Sequence, residues 1–126
     1  MVESTTERIE RGRAFAKELN EYEGEVSDLL RPVIGVAPDY EGLLLGSVAD
    51  IWDRDRLSLR ERSIIRLALI AALGQAESVT QATIGTALHL GLSREDIAEV
   101  FLQTSPQIGL IRVIAVLEAL GRHRSP

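Results

Sequence analysis

A chain of 126 residues has room for one domain with one modest core. Its net charge of −5 opposes non-specific binding to nucleic acid or to an anionic membrane surface, because both are negatively charged. The absence of cysteine excludes disulfides, thiolate metal ligands and cysteine nucleophiles. With only 4% aromatic residues, the core must be built from aliphatic side chains, which favours packed helices.

The N-terminal sequence and the apolar runs indicate a cytoplasmic protein. Residues 1–13 are charged and lack the apolar core of a secretion signal. The longest apolar run, 67–73, is far too short to cross a bilayer. Lys17 is the only lysine among 14 basic residues, and this bias suggests a GC-rich bacterial source.

Apolar residues at helical spacing predict three helices in the first half of the chain, followed by a charged connector. In the first helix Ile9, Phe15 and Leu19 recur at near-helical spacing, and Gly24 ends it. The predicted helices span about 5–22, 26–33 and 39–52, and the connector spans 53–56.

Capping signals and glycines predict the helices of the second half. Ser58 and Ser93 each stand three residues before a carboxylate, which is the pattern of a capping box. Gly74 and Gly91 are typical of helix ends, and Ser78 is a candidate cap between them. Pro106 is expected to begin the last helix. The predicted helices of this half span 58–73, 78–90, 93–103 and 106–121.

Strand signals are missing from the sequence, which has no sustained alternation of apolar and polar residues and no Asn-Gly or Asp-Gly hairpin turn. We therefore expect one all-α domain over residues 1–126, with six or seven helices joined by short loops. Within it, residues 1–24 hold the N-terminal helix. Residues 122–126, which include His123, are expected to form a flexible and inert tail.

Two of the predicted helices are apolar on nearly every side. Over residues 64–73 only Arg66 is polar, and over residues 108–120 only Arg112 and Glu118 are charged. A helix that is apolar all round must be covered all round, and a domain of this size cannot easily bury two of them. We therefore expect a homo-oligomer. The alternative is that one helix is central and the other is well packed.

Residues 49–74 resemble the carboxymuconolactone decarboxylase family in residue type and in spacing. That family typically has a Trp, Ser, Arg, Pro, Gly, Leu turn and then an Arg-Ser helix that ends in Ala-Ala-Leu-Gly. Residues 87–91 are similar to its Ala-Leu-Asn-Asn-Gly, and residues 93–100 to its acidic helix start. The similarity covers roughly residues 32–120. The matching residues of the first segment are Trp52, Arg54, Leu57, Leu59, Arg62, Ser63 and 71–74.

The resemblance implies an alkylhydroperoxidase-like helical bundle that assembles into homotrimers or homohexamers. The family's main reactions are cofactor-free decarboxylation of a muconolactone and thiol-based peroxide reduction. The second reaction needs two cysteines and is excluded here. The first usually uses a Glu and a His on the helix after Ala-Ala-Leu-Gly, but the histidine position falls on Thr83. A threonine cannot carry a proton near neutral pH, so the resemblance is to a divergent member.

A polar stripe follows on that helix, where Glu77, Gln81, Gly85 and His89 recur at steps of four. One interpretation is a seam facing a cleft, with Glu77 as general base if burial raises its pKa. Gln81 and Thr83 would then bind a carbonyl or carboxylate, and His89 is a second catalytic candidate. The other interpretation is a solvated helix face, with His89 as a surface or capping residue.

The remaining candidates for substrate binding lie outside that stripe. Trp52 offers an apolar wall, or simply anchors its loop, and Arg54 offers a bidentate clamp for a carboxylate. Arg62 is a candidate for pairing with a carboxylate of its own or a neighbouring subunit. Gln107 stands where the family has an aromatic residue. Arg112 is a candidate for a second anion contact or a subunit salt bridge, and no metal site is expected.

Together these observations favour a cofactor-independent lyase, isomerase or cyclase. Its substrate would be a small organic acid, lactone or polyketide-like molecule, bound in a cleft between subunits and converted by acid/base chemistry. The alternative is a non-catalytic oligomeric protein that uses the same scaffold for binding or assembly.

Overall fold

The computed structural model describes residues 2–19 and 30–124, and every regular element within them is a helix. The all-α prediction is therefore confirmed. No helix in these ranges is long and apolar enough to cross a membrane. The chain forms two compact units, residues 1–56 and 57–126. The α-helices are α1 Thr5–Leu19, α2 Arg31–Ile34, α3 Tyr40–Ser47, α4 Leu59–Leu73, α5 Glu77–His89, α6 Arg94–Ile108 and α7 Leu110–Arg122, and a π-helix, Val48–Trp52, continues α3.

In the first unit α1 packs against α3 and the π-helix. The contact is close because Gly12 of α1 lies directly against the backbone of Leu45, whose carbonyl a Cβ atom at position 12 would overlap. Leu45, Val48 and Ala49 are buried beneath α1. The predicted boundary at Gly24 and the start of the helix predicted over 26–33 fall in residues 20–29, outside the described part of the chain.

The last turn of the helix predicted over 39–52 differs from the prediction. The amide of Asp53 donates to the carbonyl of Val48 at 3.2 Å, a bond that spans five residues and is typical of a π-helix. Apolar spacing cannot reveal a single wide turn, because one extra residue changes the periodicity too little over so short a segment.

In the second unit α4 packs against α5, α6 and α7, and it supplies the centre of the core. Phe101, Leu67, Ile84 and Ile97 are all fully buried there. The capping boxes at Ser58 and Ser93 are both present, as predicted. Each serine hydroxyl accepts a hydrogen bond from the backbone amide of the residue three positions later. The carboxylate of that residue accepts a hydrogen bond from the backbone amide of the serine.

Two predicted helix starts are wrong. The helix α5 begins at Glu77, and its N-cap is Ala76 rather than Ser78. Pro106 lies inside α6 instead of opening the last helix. A proline there leaves the carbonyl of Leu102 without its amide donor, and the hydroxyl of Ser105 donates to that carbonyl at 2.7 Å. The break comes at Gly109, whose φ of +93° suits glycine.

Both apolar helices leave large side chains on the surface of the second unit. The other helices of this unit do not cover either helix on all sides. The prediction of a homo-oligomer was based on this lack of cover. The exposed residues are Ile65, Leu69 and Leu73 of α4 and Leu110, Ile111 and Ile114 of α7.

Candidate active site

An open groove of about 650 Å³ lies within the second unit, between the C-terminal half of α4, the first turn of α5 and the outer face of α7. Its polar residues include Glu77, Thr80, Arg112 and Arg122. Apolar walls with charged groups at their edges suit a small molecule that has both a carbon skeleton and a polar group. The apolar walls are formed by Ile70, Ala71, Ile108, Ile111, Ala115 and Val116.

Glu77 lies at the first position of α5 with both carboxylate oxygens occupied. Arg122 donates to the two oxygens from Nε and Nη2, each at 3.1 Å, and Gln81 donates to Oε1 at 3.0 Å. The hydrogen bond from Arg122, followed by that from Gln81, lowers the pKa of the exposed Glu77 carboxyl. The raised pKa on which the general-base interpretation depends is therefore not found, and the group is an ionised carboxylate at neutral pH.

Gln81 connects Glu77 to a histidine. Its Nε2 also donates to the carbonyl of Ala119 at 2.8 Å, so both amide protons face oxygens that can only accept. This fixes the amide orientation and turns Oε1 toward Nδ1 of His123, 2.6 Å away. Nδ1 must then carry the proton of that hydrogen bond.

His123 is not part of a flexible, inert tail, as the sequence had suggested. Its side chain is 6% exposed, and Arg122 is the last residue of α7. Arg94 holds this end of the helix by donating to the carbonyls of Leu120 at 2.5 Å and His123 at 3.3 Å. Sequence reasoning therefore missed Arg122 and His123. A basic residue in the last turn of a helix was the available signal for Arg122.

Thr83 and the two stripe residues Gly85 and His89 do not line the groove. Thr83 is buried and its hydroxyl donates to the carbonyl of Val79 at 2.9 Å, within its own helix. Gly85 is buried as well. His89 ends α5 with an exposed side chain. The structure therefore brings Glu77 and Gln81 together and leaves the other three apart from them.

Two other candidates, Arg62 and Gln107, lie elsewhere on the second unit and do not line the groove, and the same holds for Arg66, the polar residue of the apolar α4. Arg62 is half-buried and its Nε donates to the carbonyl of Ser58 at 3.3 Å. Gln107 is exposed in the last turn of α6. Arg66 is half-buried, and burial lowers the pKa of its guanidinium.

Arg112 is the groove residue with the freest guanidinium. Its Nη1 donates to the carbonyl of Ala72 at 3.3 Å, and no carboxylate of the described residues lies within 4 Å of it. Arg122, by contrast, has Glu77 on two nitrogens and Glu118 3.8 Å from the third.

The first unit holds the remaining two candidates. Trp52 is half-buried at the end of the π-helix, and Arg54 is exposed on the connector that follows.

A sequence model of the carboxymuconolactone decarboxylase family matches residues 40–121, which is more than half of the chain. The chain belongs to this family. The match begins at the start of α3 and ends in the last turn of α7, so it includes Glu77, Gln81 and Arg112. No curated protein and no solved structure matches the chain. The family is thus shown by its sequence pattern together with the all-helical fold.

Proposed function

We propose that this member of the carboxymuconolactone decarboxylase family is a cofactor-independent lyase, isomerase or cyclase. Its substrate is a small organic acid, lactone or polyketide-like molecule. The observation that carries the proposal is the ionised carboxylate of Glu77 at the edge of a groove with apolar walls.

Glu77 serves as the acid/base. Arg122 is the main cause of the lowered pKa of Glu77, so the carboxylate becomes a stronger base when a substrate oxygen takes over that guanidinium. It can then accept a proton from a carbon next to a carbonyl group and return it later in the reaction. When Glu77 takes up this proton, Arg122 loses its nearer counter-charge and keeps only Glu118, 3.8 Å from Nη1. The guanidinium is then free to stabilise the negative charge that develops on the substrate oxygen. Gln81 keeps the carboxylate in place through its bond to Oε1.

Arg112 serves as the anchor for a substrate carboxylate. Its guanidinium has only a long hydrogen bond to Ala72 in the described chain, so its remaining donors can bind a carboxylate in bidentate fashion. The apolar side chains of the groove then hold the carbon skeleton. Trp52 and Arg54, which match the family's loop, remain predicted ligand contacts.

The functional form is a homo-oligomer, a trimer or hexamer. This part of the proposal is supported by the apolar side chains that α4 and α7 leave exposed, among them Ile111 at 81% and Leu110 at 67%. Large apolar patches of this kind on a soluble protein typically mark contacts with another chain. Mass measurement of the intact protein in native buffer tests it, since a monomer would contradict it.

A non-catalytic binding or assembly protein is the second candidate. It is favoured by Thr83, which stands at the family's histidine position and whose hydroxyl is already bonded to its own helix. It is also favoured by the full hydrogen bonding of Glu77.

The test is turnover of a panel of small organic acids and lactones, each acid paired with its methyl ester, followed by NMR in D₂O. Loss of a carboxyl group, ring opening or deuterium uptake next to a carbonyl reports the reaction. Glu77→Gln should lower turnover by about 10²- to 10⁴-fold, the usual contribution of a general acid/base. Acids should react and their esters should not.

Glu99→Gln is the matched control. Glu99 accepts from Gln103 at 2.8 Å with the same spacing of four residues, but on α6 and away from the groove. It should leave turnover unchanged. Equal turnover in wild type and Glu77→Gln would remove Glu77 from the mechanism. Binding of an acid without any turnover by the wild type would favour the binding protein.

A further inference from the structure

The floor of the groove in the second unit carries one polar side chain among three apolar ones. The floor consists of the lining residues that are buried, and its polar member is Thr80 of α5, which is 4% exposed. The guanidinium-bearing residues Arg112 and Arg122 are exposed and form part of the edge. The apolar residues of the floor are Ile70, Ala71 and Val116.

The hydroxyl of Thr80 forms no hydrogen bond with any other described residue. The backbone amide of Thr80 donates to the carbonyl of Ala76 at 3.0 Å as part of the helix, so the hydroxyl is the group that is left over. Thr83 of the same helix differs, since its hydroxyl donates to the carbonyl of Val79 at 2.9 Å. A buried hydroxyl without a partner destabilises a fold, so such a group in a native protein calls for an explanation.

Ser63 of α4 has the same kind of group in a different setting. It is 2% exposed, and its hydroxyl is sealed from solvent and has no partner in the described part of the chain. Ser63 does not line the groove, whereas Thr80 borders a space of about 650 Å³ from which a ligand can reach it. The two residues therefore form a matched pair, of which only Thr80 is accessible to a ligand in the groove.

The groove separates the polar groups of a ligand by depth. A charged group is costly to bury among apolar side chains, so a carboxylate belongs at the edge, near the guanidinium of Arg112. A neutral oxygen suits the floor, because a single hydroxyl donates to a carbonyl or accepts from another hydroxyl. Thr80 also follows Glu77 by three residues, which places both on the same face of α5. A ligand oxygen at Thr80 thus lies on the side of α5 that carries the Glu77 carboxylate.

We propose that Thr80 is a specificity-determining residue whose hydroxyl binds a neutral oxygen of the ligand at the floor of the groove. The ligand class is accordingly an organic acid that carries a keto, lactone-carbonyl or hydroxyl oxygen away from its carboxylate. The choice of an acid rests on the proposed function, whereas the bond to Thr80 requires only that a ligand occupies the groove. A site built to bind an oxygen rejects the analogue that lacks it, because the polar group of the site then stays unpaired.

The test is isothermal titration calorimetry of the full chain with two pairs of acids, 4-oxocyclohexanecarboxylate with cyclohexanecarboxylate and 4-oxopentanoate with pentanoate. The members of each pair differ only in the keto oxygen. The wild type should bind at least one oxo acid about 3- to 10-fold more tightly than its partner, as expected for one hydrogen bond between neutral groups. Thr80→Val, which keeps the shape of the side chain, should lose this preference, and Thr80→Ser should restore it. A wild type that prefers neither oxo acid would overturn the proposal.

Ser63→Ala is the control, because it also removes a buried hydroxyl that has no partner in the described chain, but away from the groove. It should leave the preference for the oxo acid unchanged. An equal loss of preference in Ser63→Ala would overturn the proposal, and so would a preference that survives in Thr80→Val. The Tm of ligand-free Thr80→Val should equal or exceed that of the wild type, because the variant loses an unbonded buried hydroxyl. A lower Tm would contradict this, since the hydroxyl would then be bonded in the free protein.

Turnover separates this proposal from the proposed function. A preference for oxo acids that depends on Thr80 but comes without any turnover would support the role of Thr80 and contradict the proposed reaction. Turnover of an oxo acid with the same kcat/KM in wild type and Thr80→Val would overturn the role of Thr80 and leave the reaction standing. With both proposals correct, Thr80→Val should raise KM several-fold, whereas Glu77→Gln lowers kcat.

Discussion

The two units of this protein are stabilised by different kinds of contact. Among the described residues of the first unit, the buried apolar side chains are Leu19, Leu45, Val48 and Ala49. Three arginines of α1 pair there with carboxylates of α3 and the π-helix. In the second unit twelve buried apolar residues form one cluster. The arginines of the first unit are Arg8, Arg11 and Arg13, and the carboxylates they reach on α3 and the π-helix are Glu41 and Asp50.

The two kinds of contact have different effects, since ion pairs determine how helices are arranged and apolar burial determines how stable the fold is. Exposed ion pairs are directional, so they fix how two helices meet, but each stabilises the fold little. Apolar burial has no preferred direction, yet it supplies most of the free energy of folding. The first unit therefore has a specified geometry at its π-helix, and the second provides the robust frame that carries Glu77.

The largest expected effect comes from breaking the core of the second unit. Phe101 is fully buried, so Phe101→Ala should lower the free energy of unfolding by about 3–5 kcal/mol through lost burial and the cavity left behind. Urea unfolding followed by far-UV circular dichroism measures it. Leu102→Ala is the control, because Leu102 is 44% exposed and should cost far less. Equal losses in both variants would show that the cluster is not the source of stability.

A smaller effect should follow from separating the helices of the first unit. Gly12→Ala places a methyl group against the backbone carbonyl of Leu45, which cannot move aside as a side chain can. The free energy of unfolding should fall by about 1–3 kcal/mol, as for other overpacked sites. Trp52 fluorescence during urea unfolding follows this unit.

Gly121→Ala is the matched control for Gly12→Ala. Position 121 also lies in a helix, but a Cβ atom there meets no atom within 4 Å. It should leave stability unchanged or raise it by up to about 1 kcal/mol, because alanine favours helix. A loss as large as that of Gly12→Ala would mean that a methyl group added at either helical glycine destabilises the fold, and the close contact with Leu45 would then not explain the effect.

Much of the fold was predictable because local chemistry determines it. The hydroxyl–carboxylate spacing at Ser58 and Ser93 predicts two helix starts, and Gly74 and Gly91 mark two helix ends. The helix start predicted at Pro106 was wrong, because the sequence alone does not distinguish a proline inside a helix from one at a helix start. The hydroxyl of Ser105 supplies the hydrogen bond that Pro106 cannot donate to the helix, and the spacing of apolar residues does not reveal this bond.

The candidate site was predictable only in part, since it depends on contacts between helices. Spacing of four residues correctly paired Glu77 with Gln81 on one face of α5. Their partners are Arg122, the last residue of α7, and His123, which follows it. Both lie more than forty residues away in the chain, and no sequence pattern joins them to Glu77 or Gln81. The lowered pKa of Glu77 could not be predicted for the same reason. Arg122, which lowers it, was predicted to lie in the flexible tail of residues 122–126.

The smallest expected effect is a change with acid that sharpens the contrast between the units. Arg8 lowers the pKa of Asp50 and Arg11 lowers that of Glu3, and both pairs join separate segments of the first unit. In the second unit one lowered pKa, that of Glu77, also comes first from an arginine of another helix. The lowered pKa values of Glu61 and Asp96, by contrast, come first from bonds to Ser58 and Ser93. Those are bonds within the first turn of each helix.

A lowered pKa in the folded state contributes stability that is full above the ordinary values, 3.8 for aspartate and 4.5 for glutamate, and is lost as the pH falls through the folded-state pKa. Trp52 fluorescence should therefore stay constant from neutral pH to about 5 and change below 3.8, before far-UV circular dichroism reports loss of helix.

Asp50→Asn should weaken the acid-induced step in Trp52 fluorescence. The asparagine has no carboxylate that acid could protonate, so no ion pair with Arg8 is lost as the pH falls. The sequence of the first unit contains no histidine, since His89 and His123 both belong to the second. A step in Trp52 fluorescence near pH 6.5, the usual range of histidine, would therefore contradict the assignment to the ion pairs.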